Sequence, residues 1–346
     1  MAGVEGCNDK MNEYSDIKVL LIYRNPAMGI SIGKTYKQIE EELQKYCNVE
    51  SIEMPSCDYK VSSLRKNIQF VKNHLKEKHY DIVHITGAEH YLIPSLKKEN
   101  TIVTVHDFGF YTQRKKTFRL KLKKMLWIDP LKQAKKVICI SNKTLKEAVE
   151  LAHLRENQAT VVYEPVGKEF KYAPKAFNTE TPVYLQVGTR PHKNLENTIL
   201  ALSGDPHKLR IIGDLTKEQK KLLDDNGIEY SYASGLTDEE IEKEYEKCDI
   251  VNFISMHEGF GMIICEGQAV GRVVVTSNIP PMTEVAGNSA VLVDPKSIDS
   301  IKAGYKKAIQ EHEKYEQAGL QNVKRFQVDT AAKEIVKVYL QVLRKK

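Results

Sequence analysis

The chain has 346 residues, 41% of them hydrophobic and 28% charged, with a formal net charge of +6; that is enough for two cores in a water-facing globular protein. No apolar run reaches the ~20 residues of a membrane span, and the polar start, 1–16, reads as a flexible leader rather than a signal peptide. Six cysteines at no metal-ligand spacing predict a reducing, cytoplasmic setting without a disulfide frame, and Cys139 and Cys265 read as small core residues.

In chain order, 17–23 reads as a first parallel strand, followed by a segment holding Gly29 and Gly33. A helix then carries Tyr36, Ile39, Leu43 and Tyr46 on one face. Gly33-Lys34-Thr35 between strand and helix invites a phosphate-loop reading. That motif needs four residues between its glycines, however, and Met28 stands where the first should be. A plain turn with a left-handed glycine is the other reading. Val61, Leu64, Ile68, Val71 and Leu75 mark a second amphipathic helix. Strands follow at 81–86 and 101–105, the latter ending in His106-Asp107 at a carboxyl end, where the functional residues of open α/β sheets gather.

From 110 to 136, ten basic residues stand against the single acid Asp129, with Leu120, Leu122, Met125, Leu126, Trp127 and Ile128 interleaved. One reading is a basic amphipathic surface resting on anionic lipid, each basic residue worth about 1 kcal/mol there. The other is a solvated helix face over core leucines. Nucleic acid is not expected, because no aromatic stacking platform or binding motif accompanies the charge. Strands at 136–140 and 160–163 close the first sheet, joined by a helix from Ser141-Asn142 with Thr144 and Glu147 at capping-box spacing. The polar, proline-containing stretch 163–182 reads as a linker, and no role falls to Glu164.

Strands recur at 183–187, 208–212, 249–254 and 272–276. A capped helix starts at Thr237-Asp238-Glu239-Glu240 with Ile241, Tyr245 and Cys248 inward, and a last helix over 329–343 buries Ile335, Val338, Tyr339 and Val342. The stretch 255–271, between two apolar strands, is a strand-to-helix turn and a short helix. Gly259 and Gly261 permit the sharp turn. The N–H groups of Phe260, Gly261 and Met262 open the helix toward an anion. Glu258 precedes the turn, and Glu266 follows about one and a half helical turns later, able to accept from ligand hydroxyls.

Glu258 through Glu266, with Gly259-Phe260-Gly261 inside, resembles the E-x7-E signature of family 4 retaining glycosyltransferases of the GT-B fold. Thr276-Ser277-Asn278, Glu284-Val285-Ala286-Gly287 and Val291-Leu292-Val293-Asp294-Pro295 resemble that family in order and spacing, and the likeness is strongest over 182–310. The resemblance implies an α/β protein with two doubly wound Rossmann-like domains facing a cleft. Residues 17–168 would bind the acceptor, 182–325 the nucleotide sugar, and 326–346 would cross back to the first domain. It implies that His106 touches the donor sugar and that Gly29 and Gly33 sit in a loop near the donor phosphates or the acceptor. Arg190 and Lys193 would pair with the diphosphate, with His192 a lesser candidate. Leu236 would lie near the base, and Glu266 would hold the ribose. Glu258 and the amides of Phe260, Gly261 and Met262 would address sugar and phosphate.

The function expected is retaining transfer of a hexose from a UDP- or GDP-sugar to a glycan or lipid-linked acceptor in bacterial surface polysaccharide synthesis. No cofactor and no metal are expected, and the protein would be cytoplasmic, peripheral on the inner membrane face if the basic segment binds lipid. Two alternatives stand: a phosphate-loop nucleotidase or kinase using Lys34, and a catalytically silent sugar-nucleotide-binding protein.

Overall fold

A computed structural model of the chain describes residues 16–28, 31–114 and 117–344. The stretch before Asp16 that reads as a leader, and Gly29, lie outside them. The chain folds as two compact units, one built from the chain up to Pro165 and from Val328 onward, the other from Val166 to Gln327.

The first unit runs β1 (Lys18–Tyr23), α1 (Ser31–Leu43), β2 (Asn48–Glu53), α2 (Val61–Glu77), β3 (Ile82–Ile85), β4 (Thr101–Val105), α3 (Gly109–Thr112), α4 (Phe118–Trp127), β5 (Lys136–Cys139), α5 (Asn142–Ala152) and β6 (Ala159–Val161). The second runs β7 (Val183–Val187), α6 (Leu195–Leu202), β8 (Lys208–Ile212), α7 (Lys217–Asp225), β9 (Tyr230–Ala233), α8 (Asp238–Lys247), β10 (Ile250–Phe253), α9 (Met262–Val270), β11 (Val273–Ser277), α10 (Met282–Ala286), β12 (Val291–Val293), α11 (Ile298–Gln310) and α12 (His312–Asn322). The last helix, α13 (Val328–Leu343), belongs to the first unit and packs on α1.

Among the described residues each unit holds a six-stranded parallel sheet, ordered β2-β1-β3-β4-β5-β6 and β12-β11-β10-β7-β8-β9. Alternation along β1 shows why these are doubly wound. Leu20 and Ile22 join the core beneath α2, while Val19, Leu21 and Tyr23 join the core beneath α1 and α13. The strand order reverses between β1 and β3 in the first sheet and between β7 and β10 in the second. The crevice beyond the carboxyl ends at such a reversal is where open α/β sheets take ligands.

Several expectations are corrected. Gly33 lies in the first turn of α1 rather than in a loop, and its backbone is not left-handed; the helix has already begun at Ser31. Val61 is 66% exposed, because it opens α2 before the helix reaches the sheet, whereas Leu64 and Val71 are buried. The N-cap of α5 is Ser141, whose buried Oγ accepts from the Thr144 amide at 3.1 Å, so Thr144 is the third helical residue and not a cap. The box at Thr237 and Glu240 forms in both directions.

Candidate functional site

The second unit gathers its polar side chains at the β7–β10 reversal. After β7 the chain turns through Gly188 (φ +92°) into the short turn Pro191–Lys193. A Cβ at Gly188 would stand 3.1 Å from Lys193 Cγ in a backbone conformation that L-residues rarely adopt, so glycine lets the lysine stem lie back across the turn. Buried Gln186 on β7 fixes this turn by donating from Nε2 to the carbonyls of Gly188 and Lys193, both at 3.1 Å. The loop after β10 is tied to it where the Met256 amide donates to the His192 carbonyl at 2.7 Å.

Across that junction Lys193 Nζ donates to Glu258 Oε1 at 2.8 Å, with both side chains 17% exposed. The ammonium also lies 4.8 Å from the centre of the Phe253 ring. His192 is half-buried beside the pair. Burial lowers its pKa; Glu258 opposes that, while the charges of Lys193 and Arg190 reinforce it. Arg190 itself is exposed, at the start of the turn.

The turn into α9 follows. Gly261 is its N-cap with φ +120°, and a Cβ there would meet Ile264 and Phe253 at 3.3 Å. The Phe260 side chain is buried, edge-on to Phe326. Met262, half-buried, begins the helix and leaves its first amides without intrahelical acceptors. One turn on, half-buried Glu266 accepts a hydrogen bond from the hydroxyl of buried Tyr245 on α8. Burial, and then the Glu266 charge, raise the Tyr245 pKa far above its usual value, so this hydroxyl remains a donor.

Buried Arg272 locks α8 against α9. Its guanidinium donates to the Tyr245 carbonyl (3.0 Å), the Glu246 carbonyl (2.8 Å) and the Val270 carbonyl (3.2 Å). Leu236, half-buried, stands just before the Thr237 cap of α8 and so leads into the helix that holds Glu266. The structure therefore joins Lys193 to Glu258 directly, and ties Glu266 to Tyr245, a residue read from sequence as core only.

In the first unit His106 follows β4. Its Nδ1 is 2.7 Å from Glu164 Oε1 and its Nε2 2.9 Å from the Thr86 carbonyl. Both partners accept, so the ring satisfies both only as the imidazolium. Burial works against that charge, but the Glu164 carboxylate and the hydrogen bonds outweigh it and raise the His106 pKa. The absence of a role for Glu164 is thereby corrected. Its position three residues past β6 comes near His106 only through the β4-β5-β6 strand order, which the sequence does not display. Both ring nitrogens of His106 are engaged within its own unit, so touching a sugar would require giving up one of these bonds.

Nearby Glu89 is 1% exposed, and its Oε2 has no hydrogen-bond partner among the described residues. Burial raises its pKa from 4.5 to about 7, against the opposing charges of Arg24 and His106. The folded value lies above the unfolded one, so the folded state holds a proton that the unfolded chain has released, and stability falls as pH rises from 4.5 through 7. Glu89→Gln is expected to stabilise the protein at pH 8 by about 1–3 kcal/mol, the cost of an unsatisfied buried polar group. At pH 4.5 the gain should vanish. Denaturant unfolding at the two values checks this, and an equal gain at both would exclude Glu89 as the source. Among the described residues no three His, Cys, Asp or Glu side chains are grouped as metal ligands, and no helix is long and apolar enough to cross a membrane.

Comparison with known proteins follows the two units. The family described as Glycosyltransferase Family 4 matches residues 35–170, and that described as Glycosyl transferases group 1 matches 167–325. O-antigen chain mannosyltransferase B of Escherichia coli is 22% identical over 269 residues, 70% of each chain. The serotype-specific mannosyltransferase WbdA of the same organism is 24% identical over 244 residues, 64% of this chain; the match spans only 28% of WbdA's own length. Among solved structures, Anabaena HepE in complex with UDP and glucose superposes with a TM-score of 0.74 at 16% identity, covering 94% of this chain and 100% of HepE.

Proposed function

This chain belongs to the family 4-type glycosyltransferases of the GT-B fold, and from that premise we propose that it transfers a hexose from a nucleoside-diphosphate sugar to an acceptor hydroxyl on a glycan, with retention at the anomeric carbon. The observation that carries this reading is the Lys193–Glu258 pair at the β7–β10 reversal, on the turn that opens α9. The mannosyltransferase names of the relatives favour mannose as the hexose and a surface polysaccharide as the product. The UDP in the HepE complex speaks for a nucleoside diphosphate as the carrier.

When the bond between the anomeric carbon and the diphosphate breaks, negative charge grows on the leaving oxygens. Lys193, with Arg190 beside it, is placed to stabilise that charge, so the reaction runs without a metal ion. Glu258 holds the Lys193 ammonium until the diphosphate arrives. The acceptor oxygen bonds to the same face of the sugar, and its proton passes to the departing phosphate. The chain contributes positioning and charge stabilisation, with no covalent sugar intermediate.

The test is thermal unfolding of metal-free protein with UDP, GDP, ADP and ATP. One diphosphate at a hundred times its dissociation constant is expected to stabilise the fold by about 2.7 kcal/mol, and the matching sugar nucleotide to support transfer. Stabilisation by ATP with Mg²⁺ alone, abolished by Lys34→Ala, would overturn the reading in favour of a nucleotidase. Stabilisation by a diphosphate with no transfer or hydrolysis would reduce the protein to a sensor.

A further inference from the structure

Helix α4 borders a cavity of about 530 Å³ in the first unit. One wall is apolar, made by Phe110, Leu122, Leu126 and Trp127, with Trp127 stacked edge-on to Tyr59 at 5.1 Å. Three cations line the same space, Arg24 from the end of β1 and Arg119 and Lys123 from α4. Asp107, which accepts from the Gly109 amide at 2.7 Å, is the one carboxylate in the lining, and buried Glu89 lies close enough to Arg24 for their charges to interact. The paired His106 also borders the cavity. The lining is thus apolar and cationic at once, which suits neither a plain sugar nor a purely hydrocarbon ligand.

The outer face of α4 adds a second observation. Phe118, Leu122 and Met125 are 75%, 42% and 55% exposed, and their i, i+4, i+7 spacing places them in one strip. Leu122 belongs to both surfaces, so the exposed apolar strip runs directly into the cavity wall. Exposed apolar side chains beside exposed Arg119, Lys121 and Lys123 give this face the composition that an anionic membrane surface attracts.

We propose that this cavity binds an amphiphile with a phosphate or diphosphate head and a hydrocarbon chain, the head on Arg24, Arg119 and Lys123 and the first part of the chain along Leu122, Leu126 and Trp127. Its role as the acceptor's carrier rests on the glycosyltransferase reading; its binding does not. Two sources share this chemistry, a lipid-linked acceptor and the headgroup of a bulk anionic phospholipid.

Trp127 is the only tryptophan of the chain, so its fluorescence reports this cavity alone. Titration with monomeric farnesyl diphosphate is expected to give a saturable change. Farnesol and inorganic pyrophosphate should each bind at least ~10-fold more weakly, because each lacks one half of the match. The exposed double variant Arg119→Ala/Lys123→Ala, checked for folding by circular dichroism, should lose at least ~10-fold in affinity for farnesyl diphosphate while farnesol binding stays unchanged. No saturable signal, equal binding of pyrophosphate, or an unaffected double variant overturns the proposal. Phosphatidylglycerol vesicles that compete fully with farnesyl diphosphate would keep the chemistry but overturn the assignment to a carried acceptor. The diphosphate-induced thermal shift, read on the same samples, separates the outcomes: its loss defeats the proposed function and leaves the fluorescence result standing.

Discussion

Lys193→Ala is expected to lower kcat/KM for sugar transfer by about 10²–10³, the scale seen when one preorganised donor to a developing oxyanion is removed. The reason lies in the ground state of the site. Lys193 and Glu258 are each 17% exposed, so their charges are mostly stripped of water and held on each other at 2.8 Å. A diphosphate entering beside them competes for a cation that is already desolvated and oriented, which makes the interaction stronger than it would be in water. As the sugar bond lengthens, that advantage grows with the charge on the leaving oxygens, so the loss should fall on kcat as well as on diphosphate affinity. Lys193→Arg should not restore full activity, because a forked guanidinium cannot follow the stem path that Gly188 opens. The check is steady-state kinetics with the sugar nucleotide identified by thermal shift. A Lys193→Ala enzyme within a few fold of the parent would remove the lysine from the reaction and leave Glu258 without its assigned partner.

The residues of that pair are 65 positions apart in the chain, and their meeting shows what a sequence can and cannot display. Interior strands such as β3, β4 and β10 are buried along their whole length and read as short, mostly apolar runs, with His84, Thr104 and Asn252 buried among them. The edge strands β2 and β9 lose that signature. β2, Asn-Val-Glu-Ser-Ile-Glu, and β9, Tyr-Ser-Tyr-Ala, are half or more exposed, and no periodicity marks them. The loop positions of Lys193 and Glu258 were legible because both stand after strands, at their carboxyl ends. The His106–Glu164 pair was not, because it depends on which strands neighbour which. Phe260 reads from its place in the motif as offering its amide, and its ring is buried edge-on to Phe326. For Tyr245, the spacing from Ile241 and Cys248 marked an inward face, which burial bears out, but nothing in that spacing says that the hydroxyl at its tip reaches Glu266.

That hydroxyl shapes what is expected of Glu266. A carboxylate has about four acceptor sites, and the Tyr245 hydroxyl, bound to one of them, fixes the orientation in which Glu266 would meet ligand hydroxyls. If two ribose hydroxyls donate to it, each charge-assisted bond is worth about 1.5–3 kcal/mol. Glu266→Ala should therefore weaken nucleoside-diphosphate binding by about 10²–10⁴, measured by titration calorimetry. The ribose is remote from the bond that breaks, so the kinetic effect should be a rise in KM with kcat less altered, the reverse of Lys193→Ala. Tyr245→Phe isolates the positioning contribution. It keeps the ring packed beneath α9, removes only the donor, and should cost about tenfold in diphosphate affinity. The two substitutions act through one carboxylate, so in combination they should cost no more than Glu266→Ala alone. Full additivity would place Tyr245 on the ligand by another route, and unchanged affinity in Glu266→Ala would take the ribose away from α9 altogether.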